Sequence, residues 1–147
     1  MSEFPLRWRF DDRKHRVLPR ADLDQIKPLD AVSARKLFHD AAQRWRIMPP
    51  DLKLEPAHVD RTSIEIRDDG DHARVRDWLL GRGVAGEAPV LVSWDQRAAV
   101  TTTWSLVARY WDAFWYPSSD DLLVFDASAR WFLFMWHEEE AFFVRAA

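Results

Sequence analysis

The chain has 147 residues, no cysteine, and 21 Lys and Arg against 24 Asp and Glu, for a formal net charge of −3. A chain this long is one domain that buries roughly 70% of the surface its unfolded form exposes, so it needs no staples. The missing cysteines exclude disulfides and thiolate metal sites. The start, MSEFPLRWRFDD, has no apolar run of signal-peptide length, and no segment approaches the roughly 18 apolar residues of a membrane span. These features point to a cytoplasmic protein with no membrane partner. Nine Trp, nine Phe and two Tyr against four Gly are the compositional oddity. Tryptophan is large and carries a donor that wants a partner, so nine of them imply a heavy core or a surface that meets something.

Charge is unevenly spread. Residues 1–47 hold eleven Lys and Arg against seven Asp and Glu, whereas residues 104–147 hold three Arg (Arg109, Arg130, Arg145) against seven acids. An acidic C-terminal part repels phosphates and steers a basic protein partner toward it, which argues against nucleic acid.

In chain order, Leu6-Arg7-Trp8-Arg9-Phe10 alternates apolar and basic residues as a half-buried strand does. Residues 21–26 suit one or two helical turns before Pro28. Asp30 is a candidate N-cap for a helix to Trp45, with Ala34, Leu37, Phe38, Ala41 and Trp45 on its buried face. Pro49-Pro50 stops it, and residues 51–60 read as a connection. Residues 62–66 show weak strand alternation. Asp68-Asp69-Gly70-Asp71 reads as a turn that sets negative charge at the start of a short helix, 71–80, with Val75, Trp78 and Leu79 inward.

The second half is more regular. Residues 89–94 and 98–102 form a predicted hairpin leading into a central helix, 104–116, on which Trp104, Val107, Trp111, Phe114 and Trp115 recur at helical spacing. Thr103 is its candidate N-cap and Pro117 ends it. Three strands follow, 122–125, 130–136 and 141–145, joined by connections short enough only for hairpins, which makes an antiparallel meander. In the middle strand Trp131-Phe132-Leu133-Phe134-Met135-Trp136 does not alternate. Both faces of that strand are therefore apolar, and either protein covers both or one is bare for a partner, such as a second copy. The fold class expected is α+β in a single domain, 1–147: a mainly antiparallel sheet, a C-terminal three-strand meander and two to four helices, the 104–116 helix central.

No motif carries catalysis. His137-Glu138-Glu139-Glu140 offers ligand-type residues, but neighbours in a turn point apart and no second His follows at zinc-helix spacing. Asp68-Asp69-Gly70-Asp71-His72 has its glycine too early for a calcium loop and lacks the closing Glu. Ser118-Ser119-Asp120-Asp121 has no glycine elbow, and there is neither a P-loop nor GxGxxG. No cofactor, no metal and no enzyme activity are expected.

Ile26-Lys27-Pro28-Leu29 before a helix, Thr103-Trp104 with Trp111 and Phe114 beyond, and Asp120-Asp121 opening a terminal hairpin resemble a small family of uncharacterised bacterial single-domain proteins of unknown function. The resemblance covers the N-terminal and C-terminal thirds and leaves residues 48–88 unmatched. In size, missing cysteines and acidic C-terminal part the chain is also similar to bacterial immunity proteins that neutralise toxins. That likeness implies a non-enzymatic protein-binding domain, with Asp120, Asp121, Glu138, Glu139 and Glu140 meeting a basic toxin surface, as monomer or homodimer. The alternative expectation is a small-molecule binder or minor enzyme whose aromatic-lined pocket holds Trp104, Arg109, Trp111, Asp112 and Trp115.

Overall fold

The computed structural model describes residues 4–45, 60–67, 71–128 and 130–145, with the side chains of Trp45 and Asp60 outside that description. The Pro49-Pro50 stop, the 51–59 connection and the turn at 68–70 fall outside it as well. In chain order the elements are α1 (Trp8–Asp11), β1 (Arg16–Val17), α2 (Arg20–Leu23), β2 (Lys27–Pro28), α3 (Ala31–Trp45), β3 (Asp60–Glu65) and α4 (His72–Leu80). The second half adds β4 (Pro89–Ser93), β5 (Ala99–Thr103), α5 (Trp104–Arg109), α6 (Trp111–Phe114), β6 (Leu122–Phe125), β7 (Trp131–Trp136) and β8 (Glu140–Arg145). This is the expected α+β class, with the meander β6-β7-β8 and all pairings of the seven-stranded sheet antiparallel, in the order β2-β5-β4-β6-β7-β8-β3.

The apolar run of β7 explains the layers. Trp131, Leu133 and Met135 point to one face of the sheet, where they join Val75 and Leu79 of α4 and Trp104, Leu106 and Val107 of α5 in the larger core. Phe132, Phe134 and Trp136 point to the other face, with Leu37 and Ala41 of α3 in the smaller one. Trp131 to Met135 are all buried, so protein covers both faces and the strand leaves no bare apolar face.

Local signals account for the helices. Asp30 accepts the Ser33 amide at 2.7 Å, capping α3 and holding the Asp30 carboxyl below the usual carboxylate range. Thr103 Oγ1 accepts the Leu106 amide at 3.4 Å and starts α5.

Two expectations are corrected. The stretch around Trp8 is helical (α1), not a strand, because Arg9 does not alternate outward: it is buried with Phe10. The 104–116 helix is broken at Tyr110, whose backbone leaves the helical region (φ −116°, ψ 29°), so α5 and α6 are separate. Trp104, Val107, Trp111, Phe114 and Trp115 nevertheless all remain buried, and Trp115 is already extended two residues before Pro117.

Candidate functional site

The acids expected to face a partner divide into two groups. Asp120 is only 9% exposed and takes both guanidinium arms of Arg9, itself 4% exposed, with the Nη2–Oδ1 contact at 3.0 Å. It also accepts the Tyr116 amide at 2.8 Å, while its carbonyl accepts the Trp115 indole at 3.0 Å. The Arg9 guanidinium lies 4.2 Å from the Tyr116 ring centroid and 5.2 Å from that of Trp8. A carboxylate so enclosed presents no charge outward. Asp120 therefore leaves the expected interface and acts as a tie between α1 and the 115–120 loop.

Asp121 stands at the surface. It accepts both the His137 amide and the His137 ring Nδ1, each at 2.9 Å. That carboxylate raises the pKa of His137 above the ordinary histidine range, chiefly through the ring hydrogen bond. The other ring nitrogen lies 3.4 Å from Glu138. An Asp–His pair is thus present beside Ser118 and Ser119, yet Nε2 faces a carboxylate where a nucleophile's hydroxyl would need to be. Ser119 Oγ instead donates to Asp120 at 3.3 Å.

Glu138, Glu139 and Glu140 follow in the β7-β8 turn, where Glu139 takes the left-handed conformation (φ 63°). The antiparallel register sets Glu65 of β3 opposite Glu140. Glu65, Ile66, Arg67, Glu138, Glu139 and Glu140 line an open cleft of about 450 Å³. Among the described lining residues its cation is Arg67, 3.9 Å from Glu65, and Arg74 reaches the Glu65 carbonyl from outside the cleft. Like charges directly across a ladder are unfavourable, so the Glu65–Glu140 pair favours a positive charge beside it. Among the described residues no three His, Asp or Glu converge as metal ligands would. Glu65 is the member that sequence reading missed; its signal was the polar position ending the weak alternation of 62–66.

The tryptophans of the expected aromatic pocket lie in the core. Trp104, Trp111 and Trp115 are all buried, and Trp104 packs edge-on against Trp131 at 5.3 Å. The Trp111 indole donates to the His72 carbonyl at 3.0 Å. Arg109 and Asp112 do not converge on a ligand space. Arg109 meets Asp22 at 3.5 Å, and Asp112 takes a two-armed contact from Arg16 at 2.8 and 3.0 Å, with His72 Nε2 at 3.5 Å. Both pairs fasten the N-terminal segment to α5 and α6. Neither of the two clefts described in the structure is lined by any of these five residues.

Among the described residues no helix is long and apolar enough to cross a membrane. Set beside known proteins, the chain matches no family model, no curated protein and no solved structure.

Proposed function

We propose that the protein is a non-enzymatic protein-binding domain, an immunity or inhibitor protein that neutralises a toxin, and that its acidic end meets a basic surface. The observation that carries this reading is the cleft whose described lining gathers Glu65, Glu138, Glu139 and Glu140 around Arg67, with Asp121 next to the turn. Four carboxylates line the cleft against one guanidinium, with Arg74 and His137 at its margin, and the net negative field attracts a basic partner before contact. Such rim charges act more on association rate than on the strength of the final complex. The burial of Trp104, Trp111 and Trp115 leaves no indole of that helix at the surface to receive a ligand from solvent.

The test is co-expression with the product of the neighbouring gene in the source cell, scored by growth rescue and by complex formation on size exclusion. A one-to-one complex is expected, with the triple variant Glu138→Gln, Glu139→Gln, Glu140→Gln associating about tenfold or more slowly at low salt. Recovery of no stoichiometric partner there or from the source cells, or a partner whose association the triple variant leaves unchanged, overturns the proposal.

A further inference from the structure

At the opposite end of the β3-β8 pair the charge is reversed. Thr62, Gly81, Arg82, Phe143 and Arg145 line a second cleft of about 250 Å³, between the end of β8 and the exit of α4. The Arg82 guanidinium lies 4.6 Å from the Trp78 ring centroid and its Nε donates to the Trp78 carbonyl at 2.8 Å. Arg145 lies 5.1 Å from the Phe143 ring centroid and donates through Nη2 to the Arg82 carbonyl. Gly83 turns the chain there at φ +83°, and a Cβ on it would stand 3.0 Å from that same Nη2. The loop is thus shaped to the guanidinium.

We propose that this cleft is an oxyanion site that takes a phosphoryl group. Each guanidinium has one bond to a carbonyl and one aromatic ring beneath it. Among the described residues each arginine spends one of its five N–H donors on a carbonyl, and the others are open to a ligand. Among the described residues neither arginine meets a carboxylate. Capping the carbonyl end of α4 does not require both: the helix end carries about half a negative charge, and two guanidiniums supply two positive ones. The surplus matches a dianion better than a monoanion. Stacking on Trp78 and Phe143 fixes the planes of the two forks before a ligand arrives, which suits the two-armed recognition of a phosphoryl group. Within the described lining, Thr62 is the residue that carries a hydroxyl. The volume falls below the roughly 300–1,000 Å³ of sites that enclose whole small molecules, so the cleft takes a terminal group.

The experiment follows the arginine Nε–H signals of the ¹⁵N-labelled full chain during titration with inorganic phosphate in low-chloride buffer at pH 7.5. O-phosphoserine forms a second arm and acetate a third. Saturable shifts at Arg82 and Arg145 are expected, weakened about tenfold or more in Arg82→Gln and in Arg145→Gln. Thr62→Ala, at an exposed strand position, should weaken binding a few-fold with the melting curve unchanged. Tighter binding of O-phosphoserine assigns a phosphorylated side chain as the source, and tighter inorganic phosphate assigns the free ion. No saturable shift, equal affinity for acetate, or binding that survives in all three variants overturns the site.

Discussion

Arg9 and Asp120 lie 111 positions apart in the chain, yet each is the other's principal partner in the core. Removing one half of a buried pair leaves a charge with no solvent and no counter-ion. Asp120→Ala should therefore cost about 3–5 kcal/mol by urea unfolding. Replacing both, Arg9→Met with Asp120→Leu, should recover a large part of that loss. If the double variant is as unstable as the sum of the singles, the ion pair is not what the two residues share. His137 offers a second test at this scale. Its pKa is raised in the folded state by Asp121, so its contribution is fully present below the unfolded value of about 6.5. That contribution disappears as pH rises through the folded pKa. Asp121→Asn should move the His137 titration, followed by NMR, toward the ordinary histidine range and reduce this pH dependence, with Glu138 holding the remainder.

Among the elements, β7 and α3 were legible because their information is local: six consecutive apolar residues in one, Asp30 and a helical stripe in the other. The N-terminal segment misled because the partner that buries Arg9 comes from the far side of the chain, and no periodicity encodes it. The break at Tyr110 was hidden for the same reason, since the Tyr110 hydroxyl donates to Asp22, 88 positions earlier in sequence. Glu65 joined the acidic cleft only through strand pairing, whereas Glu138 to Glu140 were visible as a run. Two substitutions probe the elements directly. Thr103→Ala removes the α5 cap and should cost about 1 kcal/mol in thermal or urea unfolding. Glu139→Gly frees a left-handed position that costs an ordinary residue about 1–2 kcal/mol, offset in part by glycine's extra unfolded entropy. A net stabilisation of up to about 1 kcal/mol is expected, and a destabilised variant would mean that the Glu139 side chain makes a contact worth more than the strain.

For the molecule as a whole, the covered faces of β7 remove the reason for a second copy to pack there. Sedimentation should show a single species of monomer mass at high concentration. Phe134→Ala should then cost about 3–5 kcal/mol of stability while leaving that mass unchanged. A dimer disrupted by Phe134→Ala would reassign this face as an interface. The strand order carries a consequence for synthesis. β2 and β3 are made before the other strands of the sheet but, among the described residues, sit at its two edges, where β3 pairs only with β8. The ribosome must add about 80 further residues after Glu65 before the β8 edge exists. At about 5–20 residues per second that is a wait of roughly 4–16 s. Through that interval β3 alone waits for its partner, since β2 can already pair with β5 and β4 with β5 and β6, so the β3 edge is the part of the sheet that closes last.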